Sequence, residues 1–190
     1  MANPDFIEIY DNTLSSSDCE SIVELIEDAD LNRGPSGNPP EINLKHKKSW
    51  QVPGKFTRFN LGTLPTRLLG SVLTEYVPKY KKKYPCLDER LRPWEVLNDY
   101  NLQKYDPGDG YYIEHCENAS IATANRVLVW MVYLNTVTDN GGTYFPHYDR
   151  TVDAVEGRLV LWPSYWTHLH KGVVSKKQTK YMATGWFSYT

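Results

Sequence analysis

The chain has 190 residues, enough for one domain that buries on the order of 70% of the surface its unfolded form exposes. With 41% hydrophobic and 23% charged residues and 12 Gly beside 12 Pro, it is neither mainly disordered, nor collagen-like, nor a membrane-spanning chain. The 21 Lys plus Arg against 23 Asp plus Glu leave a net charge of -2, too little basic excess for a surface that tracks phosphates.

Residues 4–11, PDFIEIYD, alternate apolar and polar and predict a first strand. Ser17 and Glu20 have the spacing of a capping box, and Cys19, Ile22, Val23, Ile26 and Ala29 recur at helical intervals, so residues 18–29 are expected as helix. The stretch LNRGPSGNPP over 31–40 reads as a loop. Leu68, Leu69, Val72, Leu73, Tyr76 and Tyr80 then give a second amphipathic helix over 65–83, which Pro78 is expected to kink or shorten. Its closing lysines, Lys81, Lys82 and Lys83, suit the negative end of the helix dipole.

After Trp94 the character changes. WEVLNDYNLQKY, RVLVWMVYLN, GRLVLW and KYMATGWFSY are apolar-aromatic runs separated by turns such as DPGDG and DNGG. Two helices ahead of many short strands, without βαβ alternation or repeat, predict a mainly β domain with supporting helices packed on one side of a sandwich or barrel, a jelly roll being a natural candidate. The three cysteines, Cys19, Cys86 and Cys116, are odd in number and widely spaced, and the N-terminus has neither a basic start nor an apolar run of signal length. Reduced thiols and a cytoplasmic setting are expected, with no nucleic acid and no membrane as partner; nothing in the sequence specifies an oligomeric state.

Only five histidines are present, His46, His115, His147, His168 and His170. In an extended segment residues i and i+2 share a face, so His115 and Glu117 can reach one ion, with His168 or His170 as a third ligand from a distant strand. Two His and one carboxylate leave three adjacent octahedral positions open, the arrangement of non-haem Fe(II) oxygenases. His147-Tyr148-Asp149 offers a competing pair.

The blocks QKYDPGDGYYIEHCE, RVLVWMVYLN, GGTYF, GRLVLWPSYWTHLHKG and KYMATGW, in this order over residues 100–190, resemble the core of the prolyl 4-hydroxylase-like 2-oxoglutarate and Fe(II)-dependent dioxygenases. The resemblance implies a double-stranded β-helix (a jelly roll, cupin-like) as one domain over 1–190, with residues 1–93 supplying an N-terminal strand and support helices and 94–190 the catalytic β core. It implies His115, Glu117 and His170 as iron ligands, His170 being preferred to His168 by its spacing to Lys180. Lys180 then matches the residue that grips the far carboxylate of 2-oxoglutarate, and Tyr105, Tyr133 and Thr184 match positions lining that pocket. Hydroxyls beside a cation are what a buried dicarboxylate requires. Arg126 and Trp186 become substrate candidates, and Trp162, Pro163, Trp166 and Trp186 are expected to wall the pocket. The match of Gly141 to Phe145 with the family's GGET-F turn puts His147-Tyr148-Asp149 outside the metal site.

The implied cofactors are Fe(II), 2-oxoglutarate and O₂, with ascorbate as an accessory. The implied reaction is hydroxylation of an unactivated C–H bond as 2-oxoglutarate is decarboxylated to succinate, the substrate being a prolyl residue in a peptide or protein; a free amino acid or other small molecule is the close alternative. The sequence departs from the family in having Glu117 where Asp is usual, and Tyr112 and Glu114 where His and Trp are often found. The rival reading from another class is a non-catalytic jelly roll whose many Tyr and Trp stack on a sugar or peptide.

Overall fold

A computed structural model describes residues 4–35, 41–56 and 63–190. In chain order the elements are β1 (Glu8–Tyr10), α1 (Ser16–Glu27), β2 (Asn32–Arg33), β3 (Trp50–Lys55), α2 (Leu64–Lys83), α3 (Cys86–Glu89), β4 (Trp94–Tyr105), β5 (Arg126–Tyr133), β6 (Thr143–Phe145), β7 (Arg150–Val152), β8 (Leu159–Pro163), β9 (Lys171–Gly172) and β10 (Lys180–Tyr189). Seven strands form a major antiparallel sheet in the order β1-β8-β5-β10-β4-β3-β2, and three form a minor one in the order β7-β6-β9.

The minor sheet grows by single backbone bridges. His115 and His170 exchange both N–H···O bonds, Gly172 donates to the Tyr111 carbonyl, and Lys47 bridges Tyr111. Segments around residues 47 and 111–115 thereby extend it opposite the major sheet, and the pair of sheets is the jelly roll that the strand pattern predicts.

The central strands are buried on both faces, which is why RVLVWMVY shows no polar alternation. Leu128, Trp130 and Val132 of β5, with Leu159, Leu161, Ala183 and Phe187, point outward into a cluster with Cys19, Ile22 and Ile26 of α1 and Leu69, Val72, Leu73, Val77 and Tyr80 of α2. Val129, Met131 and Tyr133, with Val160, Trp162 and Met182, point inward and meet Phe145 and Val152 of the minor sheet. The layers are therefore helix, sheet and sheet, and the gap between the sheets is where polar side chains converge.

Four local expectations are corrected. The strand over 4–11 shrinks to β1, because Phe6 takes a left-handed φ of 57° and the Asp5 carboxylate accepts the Ile7 N–H, making a turn at its start. Helix α1 begins two residues early: Ser15, not Ser17, is the N-cap and accepts the Asp18 N–H. Asn32 and Arg33 of the expected 31–40 loop pair with β3, while its residues 36–40 lie outside the described residues. Pro78 neither ends nor shortens α2, since Val77 and Tyr80 on either side are buried in the outer cluster and hold the last turn in place. The helix closes with Lys81 and Lys83 paired to Asp88 and Glu8 at 2.6 and 2.7 Å. The cysteines are free thiols, and among the described residues no helix is long and apolar enough to cross a membrane.

Gly185 of β10 lies directly under the Trp130 indole, where a Cβ would stand 2.5 Å from the ring. Gly185→Ala is expected to destabilise the protein by about 1–3 kcal/mol through overpacking of a fully buried ring. Urea unfolding followed by Trp fluorescence measures this; an unchanged midpoint would show that β10 and β5 can separate locally without loss.

Candidate active site

Alternation along β10 places Lys180, Met182, Thr184 and Trp186 on one face, and the register sets them beside Asn101, Gln103 and Tyr105 of β4 and Met131 of β5. All eight line a cavity of about 370 Å³ between the sheets, a size suited to small organic ligands. The minor-sheet side contributes Tyr111, His115, Glu117, Thr143 and His170.

The backbone bridge between His115 and His170 puts their side chains on one face, with ring centroids 4.3 Å apart. The His115 Nδ1–H donates to the Ile113 carbonyl (3.1 Å) and the His170 Nδ1–H to the His168 carbonyl (3.0 Å). A carbonyl only accepts, so these bonds place the proton on Nδ1 and leave Nε2 of each ring as the free donor atom. Both Nε2 atoms face Glu117 Oε1, at 3.4 and 3.5 Å, and one ligand atom from each residue lies within 4.8 Å of the others. Two neutral imidazole lone pairs and a carboxylate aimed at one point fit a divalent cation.

Each member of this group is oriented by a neighbour. Tyr111 stacks on His115 at 3.6 Å between centroids and 15° between planes. Glu117 Oε2, the oxygen turned away from the imidazoles, accepts the Trp186 Nε1–H at 2.9 Å and Arg126 Nη1 at 3.3 Å, and Arg126 also lies over the Trp186 ring. Burial acts to raise the Glu117 pKa, but protonation of His115 and His170 would set donors and positive charge against Oε1, which outweighs burial and holds the carboxyl well below its usual range. Burial, with His170 beside it, lowers that of His115.

In the same cavity Lys180 is 5% exposed, donates to the Gly141 carbonyl at 2.9 Å and lies 4.7 Å over the Tyr105 ring. No carboxylate of the described residues pairs with it, and burial draws its pKa down to about 8. The Tyr105 hydroxyl donates to Gln103 Oε1 at 2.7 Å, and the Thr184 hydroxyl donates to the Trp130 carbonyl at 3.1 Å.

Three expected wall residues, Tyr133, Pro163 and Trp166, stand elsewhere than the sequence suggests, whereas His168 and the pair His147 and Asp149 stay off the metal site as the resemblance implies. Tyr133 does not line the cavity: its hydroxyl is fully buried behind Thr143, 2.8 Å from that residue's Oγ1, so it reaches the cavity only through that contact. Trp162 and Trp186 are wall residues, but Pro163 is not, and Trp166 is 70% exposed in a short 3-10 turn that carries it away from the cavity. His168 uses both ring nitrogens within the fold, Nε2–H donating to the Asp5 carbonyl (2.8 Å) and Nδ1 accepting from Thr167 Oγ1 (2.9 Å). His147 is held by the Thr167 carbonyl and Asp149 by Tyr144, outside the cavity. Tyr112 bonds the Gly108 carbonyl and Glu114 pairs with Lys171.

The N-terminal part, expected only to support the core, supplies Pro35, Lys47 and Gln51 to the cavity wall. Its signal is weak in sequence, because Lys47 arrives through a single bridge to Tyr111.

Residues 100–188 match the model of the 2OG-Fe(II) oxygenase superfamily. No curated protein sequence matches the chain. Among solved structures, the fold is similar to a viral collagen prolyl hydroxylase of Paramecium Bursaria Chlorella virus-1 in its 2OG complex, with 18% identity, 97% of each chain covered and a TM-score of 0.72. It is likewise similar to a Pseudomonas putida prolyl-4-hydroxylase, at 17% identity, 96% and 92% coverage and a TM-score of 0.72. A third is a Trichoplax adhaerens prolyl hydroxylase in complex with a peptide fragment of the hypoxia inducible factor oxygen degradation domain, at 19% identity, 97% and 84% coverage and a TM-score of 0.74. The sequence match to the 2OG-Fe(II) oxygenase superfamily falls on the strands that build the cavity, and the structural likeness extends over nearly the whole chain, which has the fold of these prolyl hydroxylases.

Proposed function

We propose that the protein hydroxylates a prolyl residue of a peptide, with His115, Glu117 and His170 holding Fe(II) and Lys180 anchoring 2-oxoglutarate. The observation that carries this reading is one cavity containing both the convergent His/Glu/His group and a buried ammonium with no carboxylate partner among the described residues. When bound, the metal with 2-oxoglutarate and O₂ supplies the oxidation of a C–H bond to an alcohol, the cosubstrate leaving as succinate and carbon dioxide. The likeness to prolyl hydroxylases, one of them holding a peptide, supports a peptidyl substrate. So does the apolar rim, where Ile113 lines the mouth and Ile121 stands 99% exposed beside the wall residues Ser120 and Ala122.

The side chains divide the work. The carbonyls of Ile113 and His168 keep both ligand rings in the Nδ1–H tautomer, so neither needs to lose a proton from Nε2 as metal binds. Trp186 and Arg126 hold Glu117 Oε2, which leaves Oε1 as the oxygen facing the imidazoles. Lys180 offers its charge from a desolvated position where a carboxylate gains most by pairing, and Tyr105 bounds the same space. Met131, Met182 and Trp162 make the remaining wall apolar and keep water out of the space around the reacting carbon.

The decisive experiment adds Fe(II) and then 2-oxoglutarate without oxygen and looks for the visible charge-transfer band of a chelated iron(II). Admission of air with a proline-containing peptide is then expected to yield succinate and a product heavier by one oxygen atom. No band with folded protein and excess metal would instead favour a non-catalytic binding module.

His115→Ala and His170→Ala are each expected to lose Fe(II) binding while remaining folded, whereas His168→Ala, whose ring is engaged with Asp5 and Thr167, keeps it; calorimetric metal titration distinguishes them. Trp186→Phe removes one of two donors to Glu117 Oε2 and is expected to weaken Fe(II) by about tenfold, in the range of outer-shell changes at metal sites. An unchanged metal affinity would show that Arg126 alone orients the carboxylate.

Lys180→Ala is expected to weaken 2-oxoglutarate by roughly 30-fold or more, since truncating one partner of a buried charge pair costs about 2–5 kcal/mol. The ammonium without cosubstrate titrates at about 8, and pairing raises that value in the complex. Binding therefore requires proton uptake above that pH, and wild-type affinity is expected to fall by up to about tenfold per pH unit from pH 8 upward. Titrations from pH 7 to 9.5 check this; affinity constant over that range would remove Lys180 from the cosubstrate site.

A further inference from the structure

We infer that the substrate presents a carboxylate to Lys47, close to the carbon that is oxidised; the inference rests on the dioxygenase reading above and specifies its substrate class. Lys47 lies in the part of the chain where sequence gave no motif, yet it lines the cavity and is 6% exposed. Its Nζ is 5.4 Å from the centre of the Tyr111 ring, and that ring stacks on His115. The order Lys47, Tyr111, His115 therefore sets a positive charge one ring away from a metal-donor imidazole.

This ammonium has no counter-ion. All 23 acidic residues fall within the described parts of the chain, because residues 1–3, 36–40 and 57–62 contain no Asp or Glu. None of them pairs with Lys47, and the acidic group whose field acts on it is Glu117, which is already engaged with Arg126. A surface lysine in that position would turn to water, but here the stem is confined: Gly34 packs so close that a Cβ on it would meet Lys47 Cε at 3.2 Å and Ser49 Oγ at 2.4 Å. Burial lowers the Lys47 pKa to about 8, which leaves it cationic at neutral pH.

The charges of the loaded cavity locate the deficit. Glu117 is its only acidic wall residue, against the basic Lys47, Arg126, Lys171 and Lys180. Lys171 is satisfied by Glu114 and Arg126 by Glu117. In the loaded cavity one carboxylate of the cosubstrate would face the metal and the other Lys180, so each of these cations would have an anionic neighbour. Lys47 remains uncompensated, and a buried unpaired charge is costly until an anion arrives. A substrate carboxylate is the chemistry that meets this need, whether it is the main-chain carboxylate of a free amino acid or chain end, or an acidic side chain next to the prolyl residue.

The test uses the whole protein loaded with Mn(II) and saturating 2-oxoglutarate, without turnover, and benzoate and benzamide as probes of nearly equal shape. Mn(II) speeds the nuclear relaxation of protons held near it, so binding is read without knowing the substrate. Wild type is expected to take up benzoate roughly 30-fold more tightly than benzamide. Lys47→Met, which keeps an apolar stem of similar length, is expected to erase that preference and leave Mn(II) and 2-oxoglutarate affinity unchanged. Equal uptake of the two probes by wild type, a preference that survives in Lys47→Met, or a loss of 2-oxoglutarate affinity in that variant would each overturn the inference. Turnover then separates the sources: L-proline reports a main-chain carboxylate, and capped prolyl peptides with Asp or Asn beside proline report a side chain. Lys47→Glu should favour a Lys-flanked peptide. Should no prolyl compound be oxidised while the benzoate preference holds, the prolyl reading falls and the carboxylate site stands; should Asp and Asn peptides and L-proline react equally in wild type and Lys47→Met, the reverse follows.

Discussion

The site depends on one pair of backbone hydrogen bonds. His115 N–H donates to the His170 carbonyl at 3.0 Å and His170 N–H returns to His115 at 2.9 Å, joining segments far apart in the chain. Residues that exchange both bonds across an antiparallel pair carry their side chains on the same face. The two imidazoles are therefore brought together by main-chain geometry before any metal is present, and Glu117, two residues on in the turn whose N–H groups at 117 and 118 are held by the Ser164 carbonyl, faces both of them. A slip of one residue in this bridge would set Leu169 or Lys171 opposite His115, turn His170 to the other face and separate the donors.

Around that bridge the protein concentrates charge where it is poorly solvated. Glu117 is stabilised as a carboxylate by Trp186 and Arg126 on Oε2, while Oε1 faces the two imidazoles. Lys180 and Lys47 have no such compensation, and burial is the leading cause of the lowered pKa in each. The two-sided burial of β5, β8 and β10 is what sustains this: apolar packing on the helix face stabilises strands whose opposite face carries an electrostatically unfavourable cavity. Stability comes from one side of the sheet and function from the other.

How much could be read from sequence follows from the range of the interactions involved. The strands after Trp94 were legible because doubly buried strands write themselves as apolar-aromatic runs, and the His115/Glu117 pair because its geometry needs only a two-residue period. Position 170 needed spacing to Lys180, a comparison with a family rather than a local rule. Ser15 and Ser17 are equivalent in a run of three serines, so the cap depends on where the preceding strand releases the chain. Lys47 and Tyr111 could not be found locally, since their role arises from a single long-range bridge between segments with no periodic pattern. Tyr133 illustrates the opposite limit: its position in the strand aims it inward, but Thr143 of the facing sheet intervenes, and the identity of that neighbour is invisible along the chain.

The glutamate at 117 shows how a departure in side-chain length can be absorbed. A carboxylate on a longer stem has an extra torsion to fix, and a freely rotating ligand would pay that entropy each time it bound metal. Here Trp186 and Arg126 hold Oε2, and Arg126 also donates to the Glu117 carbonyl, so both ends of the side chain are tied. Arg126 stacks on Trp186 in turn, with its guanidinium carbon 3.7 Å from the ring centre, which keeps the clamp itself in one orientation. The added methylene is thus met by two donors from β5 and β10, the same strands whose inner faces form the cavity floor, and the ligand's direction becomes a property of the sheet rather than of the loop that bears it.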